Sequence, residues 1–162
     1  MAFIDQDNED PQGYSSFYNV NSSVGTGGQN MEEDVKVVQF FLKRYYTIQP
    51  DQKPYGEMST DGKCGPITRA WIKKFQWDAQ RAGIVCSSDG LIDKAGNESS
   101  SSNWVSSMSK TKYTIRILNN VLRGADTFVY KTLTTNPVVP PDLKMIFLQI
   151  QSQGPAMNYG DA

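Results

Sequence analysis

Apolar residues along this chain fall into short amphipathic blocks separated by stretches rich in Gly, Pro and Ser. From Met31 to Tyr46, Val35, Val38, Leu42 and Tyr45 recur at helical spacing and predict one buried stripe. Asn30 stands where an N-cap belongs, with Glu33 three positions on as in a capping box. Glu32, Glu33 and Asp34 suit the positive end of the helix dipole. A second helix is expected from Pro66 to Ala82, because proline fits a first turn where its missing N–H has no partner anyway. At about 100° per residue, Thr68, Trp71, Ile72, Phe75 and Ala79 share its core face. Trp77 points nearly the opposite way, among Arg69, Lys73, Lys74 and Arg81. Gly83 supplies the stop.

A third helix is expected from Lys112 to Arg123, with Ile115, Leu118 and Leu122 inward and Gly124 as its end. Residues Thr127 to Leu133 carry the β-branched and aromatic side chains of a strand. Pro140 and Pro141 then introduce a short helix with Leu143, Ile146, Phe147 and Ile150 at i, i+3, i+4 and i+7. Four large apolar side chains on so short a helix need a covering surface, either this domain's own core or another protein. They are the candidate partner-binding residues.

The stretches between have their own character. Residues 1–23 form a polar arm, and Val24 to Asn30 a glycine-rich turn into the first helix. No Gly-Lys-Ser/Thr follows those glycines, so they lack the signature of a phosphate cradle. Residues 47–60 make a loop with Pro50, Pro54 and Gly56. Asp61-Gly62 makes a tight turn that Asp89-Gly90 repeats later in the chain. Residues 98–109 are a serine-rich, low-complexity segment expected to be a mobile loop.

Composition narrows the chemistry. At 162 residues and 38% hydrophobic content, one domain with tails is expected. A net charge of −1 gives no global attraction to nucleic acid or anionic membrane. No apolar run approaches the ~18–20 residues that span a bilayer. The acidic N-terminus lacks the basic start and apolar stretch of a secretory signal. The chain contains no histidine, which excludes Ser–His and Cys–His nucleophile pairs and His-ligated zinc. Cys64 and Cys86 flank the second helix, whose ~25 Å length keeps them beyond disulfide reach. Both are expected to be free thiols. Asp89, Asp93 and Asn97 loosely follow calcium-loop spacing, but the twelve-residue pattern with its terminal Glu is absent. No metal or cofactor is expected. No pair of carboxylates is placed in an apolar cleft, as glycoside hydrolysis would need, so no catalytic residue is expected.

The segment Asp61-Gly62-x-x-Gly65-Pro66-x-Thr68-(x)6-Phe75-Gln76 resembles the peptidoglycan-binding-like family of small cell-wall-binding modules. Asp34, Val35, Val38, Gln39 and Leu42 are similar to that family's first helix. Asp89-Gly90 with Thr114, Ile117 and Leu118 is similar to its second turn and third helix. The resemblance covers about residues 24–123 and implies a mainly α fold, a small three-helix domain. Residues 1–23 and 124–162 then form long N- and C-terminal extensions, and 98–109 an insertion. The chain departs from the family at Cys64, usually a larger apolar residue, and at Trp71, usually a small one.

In physical terms most of the motif is structural. Gly62 permits a positive φ, Asp61 caps the loop backbone, Phe75 plugs the core, and Gln76 bridges loop amides. The implied function is non-catalytic binding of peptidoglycan or a related cell-wall glycan. Trp77, Tyr46 and Tyr55 are the candidate aromatic platforms, with Arg69 and Lys73 for sugar or peptide carboxylates. The alternative is a protein–protein adaptor or structural component of a phage, contractile-injection or type VI-like assembly, its tails docking on neighbours. In either case the chain is expected to be made in the cytoplasm and to act at the cell envelope or in an exported or virion assembly.

Overall fold

The structure, a computed structural model, describes residues 1–7, 12–96 and 102–154. The first helix, α1 (Glu32–Ile48), is apolar on more than the predicted stripe. Val37, Phe40 and Phe41 are buried along with Val35, Val38 and Leu42. A helix apolar nearly all round belongs inside a fold, and α1 touches α2 (Pro66–Arg81), α3 (Thr114–Ala125) and α5 (Pro141–Gln153). The remaining α-helix is the short α4 (Thr127–Lys131), and a 3₁₀ turn covers Pro50–Gln52. Two small antiparallel sheets complete the described structure. Strands β1 (Phe3–Gln6) and β2 (Ser16–Asn19) form a hairpin with Phe3 opposite Asn19. Strands β3 (Val24–Gly25) and β4 (Leu91–Ile92) pair over two residues. The described chain is mainly α, with five α-helices where the sequence predicts four, three in the domain and one in the C-terminal extension; α4 is the addition.

The terminal segments supply the cover for the second side of α1. Phe147 of α5 stacks on Phe41, ring centres 6.0 Å apart and planes 13° from parallel. Tyr18 of β2 meets both rings edge-on, at 6.0 Å from Phe41 and 5.3 Å from Phe147. Leu143, Ile146, Phe147 and Ile150 are all buried in this chain's own hydrophobic cluster. They are therefore not a partner-binding surface: of the two coverings the sequence left open, the chain's own core is the one found.

Polar anchors fix the N-terminal segment. The buried Asp34 carboxylate accepts the N–H groups of Asn21 (3.2 Å) and Ser22 (3.1 Å) and the Ser22 hydroxyl (2.8 Å). Asn119 of α3 grips one residue of β2 at both polar groups. Its Oδ1 accepts the Tyr18 N–H at 2.9 Å, and its Nδ2 donates to the Tyr18 carbonyl at 2.9 Å. The buried Asp7 carboxylate pairs with Arg116 at 2.5 Å and lies 3.5 Å from Arg123. Arg116 lies over the rings of Phe17 and Trp104, its Cζ 3.8 and 4.2 Å from their centres. A planar guanidinium suits such stacking, since it is weakly hydrated across its faces.

Four local expectations need correction. Asn30 is not the N-cap of α1; it sits at φ +54°, and its side chain bonds Gly25 N–H, Gly25 O and Gly28 O to close the turn before Met31. Gly124 lies within the last turn of α3 rather than ending it. Residues Thr127–Lys131 are helical, not a strand. Thr127 and Thr132 donate their hydroxyls to carbonyls four residues back, and the turn sends Val129 and Tyr130 into the core, overriding β-propensity. Residues 102–109 are not a loose loop; 98–101 lie outside the described residues. Ser106 N–H bonds Thr111 O, Tyr113 N–H bonds Trp104 O, and Lys112 N–H bonds Val85 O, building a hairpin that buries Trp104.

Candidate functional site

Two helix glutamines organise the loops around α2. Gln39 in α1 accepts the Gly62 N–H at 3.0 Å. Its amide NH2 donates to Asp61 Oδ1 (3.2 Å), the Lys63 carbonyl (3.1 Å) and Thr68 Oγ1 (3.0 Å). Gln76 in α2 repeats this at the next turn. It accepts the Gly90 N–H at 2.8 Å and donates to Asp89 Oδ1 (3.4 Å), the Leu91 carbonyl (3.0 Å) and Thr114 Oγ1 (3.0 Å). In both turns the aspartate also accepts the N–H two residues on, from Lys63 at 2.9 Å and from Leu91 at 3.1 Å. Gly62 and Gly90 take φ of +77° and +75°, where a side chain is strained. The Lys63 N–H, helped by Gln39 and Ser59, holds the Asp61 carboxyl below its usual range. These residues, with the buried Phe75 and with Pro66 in the first turn of α2, hold the frame together. Gly65 immediately precedes α2, where its carbonyl receives the Arg69 N–H.

The outward side of α2 carries a different chemistry. Trp77 is 48% exposed, beside a shallow depression of about 460 Å³ with Ala70, Lys73, Lys74, Gln80 and Ser88. Arg81 lies 4.6 Å and Lys74 5.2 Å from the Trp77 ring, within cation–π range. Lys74 is committed to Asp78 at 2.7 Å. Neither Lys73 nor Arg81 has an ion-pair partner among the described residues. The depression thus joins an indole, Lys73 and small polar groups, with Arg81 stacked against the same indole.

The other candidate ligand residues are not gathered there. Tyr46 is buried; it meets Trp71 edge-on at 5.6 Å and donates its hydroxyl to Asp78 at 2.7 Å. Burial, then that bond to a carboxylate, push its pKa well above the usual range. It buttresses Asp78 and is closed to a ligand. Arg69 turns back to the Cys64 carbonyl at 3.1 Å and is not part of the depression. Tyr55 is fully exposed on the loop before α2, its carbonyl accepting the Trp71 indole N–H at 3.2 Å. Lys74 and Arg81, expected beside Trp77 but not among the candidate ligand residues, do lie at its ring, and Gln80 and Ser88 join the depression without having been singled out from the sequence. The i−3 and i+4 spacing of Lys74 and Arg81 from Trp77 was the signal available for them.

Cys64 and Cys86 are both free, and burial raises the pKa of each thiol. Asp93 is also raised, by burial and then by the neighbouring charge of Asp89. Asn97, the third member of the loose calcium-like spacing, lies outside the described residues. No helix among the described residues is long and apolar enough to cross a membrane. No family model matches the chain, and no curated protein or solved structure matches it significantly.

Proposed function

We propose that this protein is a non-catalytic binding module for peptidoglycan or a related anionic cell-wall glycan, engaged by the outward side of α2. The observation that carries the reading is the exposed Trp77 beside Lys73 and Arg81, neither of which has a carboxylate partner among the described residues. An indole offers a flat apolar surface to a sugar ring, while Lys73 and Arg81 offer charge to carboxylates of the glycan or its peptide stem. Because Lys74 and Arg81 now lie near the ring, a sugar displaces at least one of them, and its carboxylate offsets the lost cation–π contact. The doubled glutamine–turn frame supports the reading indirectly, since the motif that resembles the cell-wall-binding family is the one it uses.

Co-sedimentation with purified sacculi tests this. The wild type is expected to pellet, and Trp77→Ala to remain in the supernatant with its melting temperature nearly unchanged. Equal pelleting of the two removes Trp77 from the site, and a wild type that does not pellet ends the glycan reading.

A second reading, an adaptor or structural component of a phage, contractile-injection or type VI-like assembly, is favoured by the outer side of α5. Met145 and Leu148 are 67% and 54% exposed there, opposite the buried face. On that reading the wild type ignores sacculi, and Met145→Glu with Leu148→Glu blocks its incorporation into the assembly while leaving the fold intact.

A further inference from the structure

The N-terminal hairpin leaves one short stretch of backbone without a partner. Just beyond the paired residues of β1 and β2, the Asp7 N–H bonds the Ser15 carbonyl at 2.8 Å. Along an antiparallel strand, successive residues turn their N–H and carbonyl alternately toward the partner strand and away from it. Phe3, Asp5 and Asp7 therefore face β2, while Ile4 and Gln6 present theirs at the outer edge of β1. At Gln6 both groups are occupied: the N–H bonds Asp5 Oδ1 at 2.9 Å, and the carbonyl accepts Asn103 Nδ2 at 2.6 Å. Ala2, at the other end, is fully buried. Between them, the outward N–H and carbonyl of Ile4 meet no partner among the described residues. Ile4 is partly exposed although its side chain packs on the core, which leaves its backbone edge to meet water.

Opposite charges flank this gap. Phe3 and Asp5 stand on either side of Ile4 and on the same face of the strand. Lys94 Nζ lies 5.2 Å from the centre of the Phe3 ring. Asp5 Oδ2 accepts the Asn19 amide at 3.1 Å. Neither Asp5 nor Lys94 has an ion-pair partner among the described residues.

We infer that Ile4 is the twofold centre of a homodimer, in which β1 pairs antiparallel with β1 of a second copy. The Ile4 N–H of each copy donates to the Ile4 carbonyl of the other. Phe3 then stands opposite Asp5 of the partner subunit, their Cα atoms about 4.5 Å apart, so Lys94 over the Phe3 ring comes within reach of that carboxylate. The twofold makes the same contact twice. Asn103 at one end and the buried Ala2 at the other stop the ladder there. An extended segment of another protein gains only the two rungs at Ile4, too few for recognition that relies on main-chain bonds along a whole edge. A second copy brings its own Lys94 and Asp5 in register with the opposite charges. Two rungs and two exposed ion pairs give a weak dimer, populated at high protein concentration.

Sedimentation of the full-length protein over rising concentration tests this, together with 15N spectra of the same samples. The average mass should climb toward that of a dimer, and the Ile4 amide signal should shift along the same curve. Lys94→Asp and Asp5→Lys each set like charges against one another at both contacts, and each should weaken self-association at least about tenfold. An equimolar mixture of the two variants restores opposite charges at both contacts and should associate again, as a heterodimer. If Asp5→Lys fails to fold, loss of association in Lys94→Asp and its return in Lys94→Arg decide the matter. The inference is overturned by a monomer at every concentration, by association with no shift at Ile4, by undiminished association of Lys94→Asp, or by folded variants that do not associate when mixed. It rests on neither reading of function above, since β1 shares no residue with the Trp77 depression or with the outer side of α5.

Discussion

The turn at Asp61–Thr68 and the turn at Asp89–Thr114 are held by the same set of hydrogen bonds over very different lengths of chain. In the first, the threonine that receives the glutamine amide stands seven residues after the aspartate, in the opening turn of α2. In the second it opens α3, beyond β4, the undescribed residues 97–101 and the 104–113 hairpin. What is repeated is a polar frame: one buried amide, a glycine N–H, a carbonyl and a threonine hydroxyl. The chain between the fixed points is free to grow, because the frame constrains only its ends. The second turn accommodates a serine-rich stretch within that span.

Four measurements would break or sharpen the comparison, the largest effect first. Gln39→Leu and Gln76→Leu each strand several buried groups at about 1–3 kcal/mol apiece, so each should lose about 2–4 kcal/mol in urea unfolding. If only one of them matters, the two turns are not equivalent. Gly62→Ala and Gly90→Ala should each cost about 1–3 kcal/mol through strain at positive φ. Gly62 should be the more sensitive, since an added Cβ lies 2.5 Å from Glu32 Cγ, against 3.0 Å from Thr26 Oγ1 at Gly90. Thr68→Val and Thr114→Val each remove one hydroxyl acceptor at nearly constant shape, for about 0.5–1.5 kcal/mol. Equal losses would show that the length of the intervening chain is energetically silent.

The smallest effect is electrostatic. The Asp61 carboxyl is depressed in the folded state, so its contribution is present above the unfolded pKa of about 3.9 and lost as pH falls through the lower folded value. Asp61→Asn keeps the turn but removes the titration. Its melting temperature should therefore fall less steeply than that of the wild type below about pH 4. Identical acid limbs would show that the carboxylate charge contributes nothing at this exposed position.

How much of this was legible in the sequence differs by region. The inward face of α2, Thr68 to Ala79, follows from periodicity alone, because each side chain's direction is set by its own helix. The outward position of Trp77 follows for the same reason. The second buried side of α1 was visible as Val37, Phe40 and Phe41, but only tertiary cover from Tyr18 and Phe147 gives those residues meaning. The frames were half legible: Asp-Gly marks each turn, whereas a glutamine within an apolar run does not announce which distant N–H it will meet. Tyr46 illustrates the limit. A tyrosine near a helix end reads as a surface aromatic until Asp78, from another helix, is found holding its hydroxyl. The helical turn at Thr127–Lys131 was hidden for a similar reason, since Tyr130 is fixed through its hydroxyl to Asn119 at 2.6 Å.

That same Asn119 has a consequence for association between copies of the chain. A two-stranded sheet has open edges, and an open edge invites another strand. At Tyr18 the N–H and carbonyl that a third strand would use are already taken by a side-chain amide. Asn119 thus acts as a one-residue surrogate strand that closes the β2 edge at its centre. Replacing it would do more than loosen the core: it would expose a pairing site that the folded chain keeps covered.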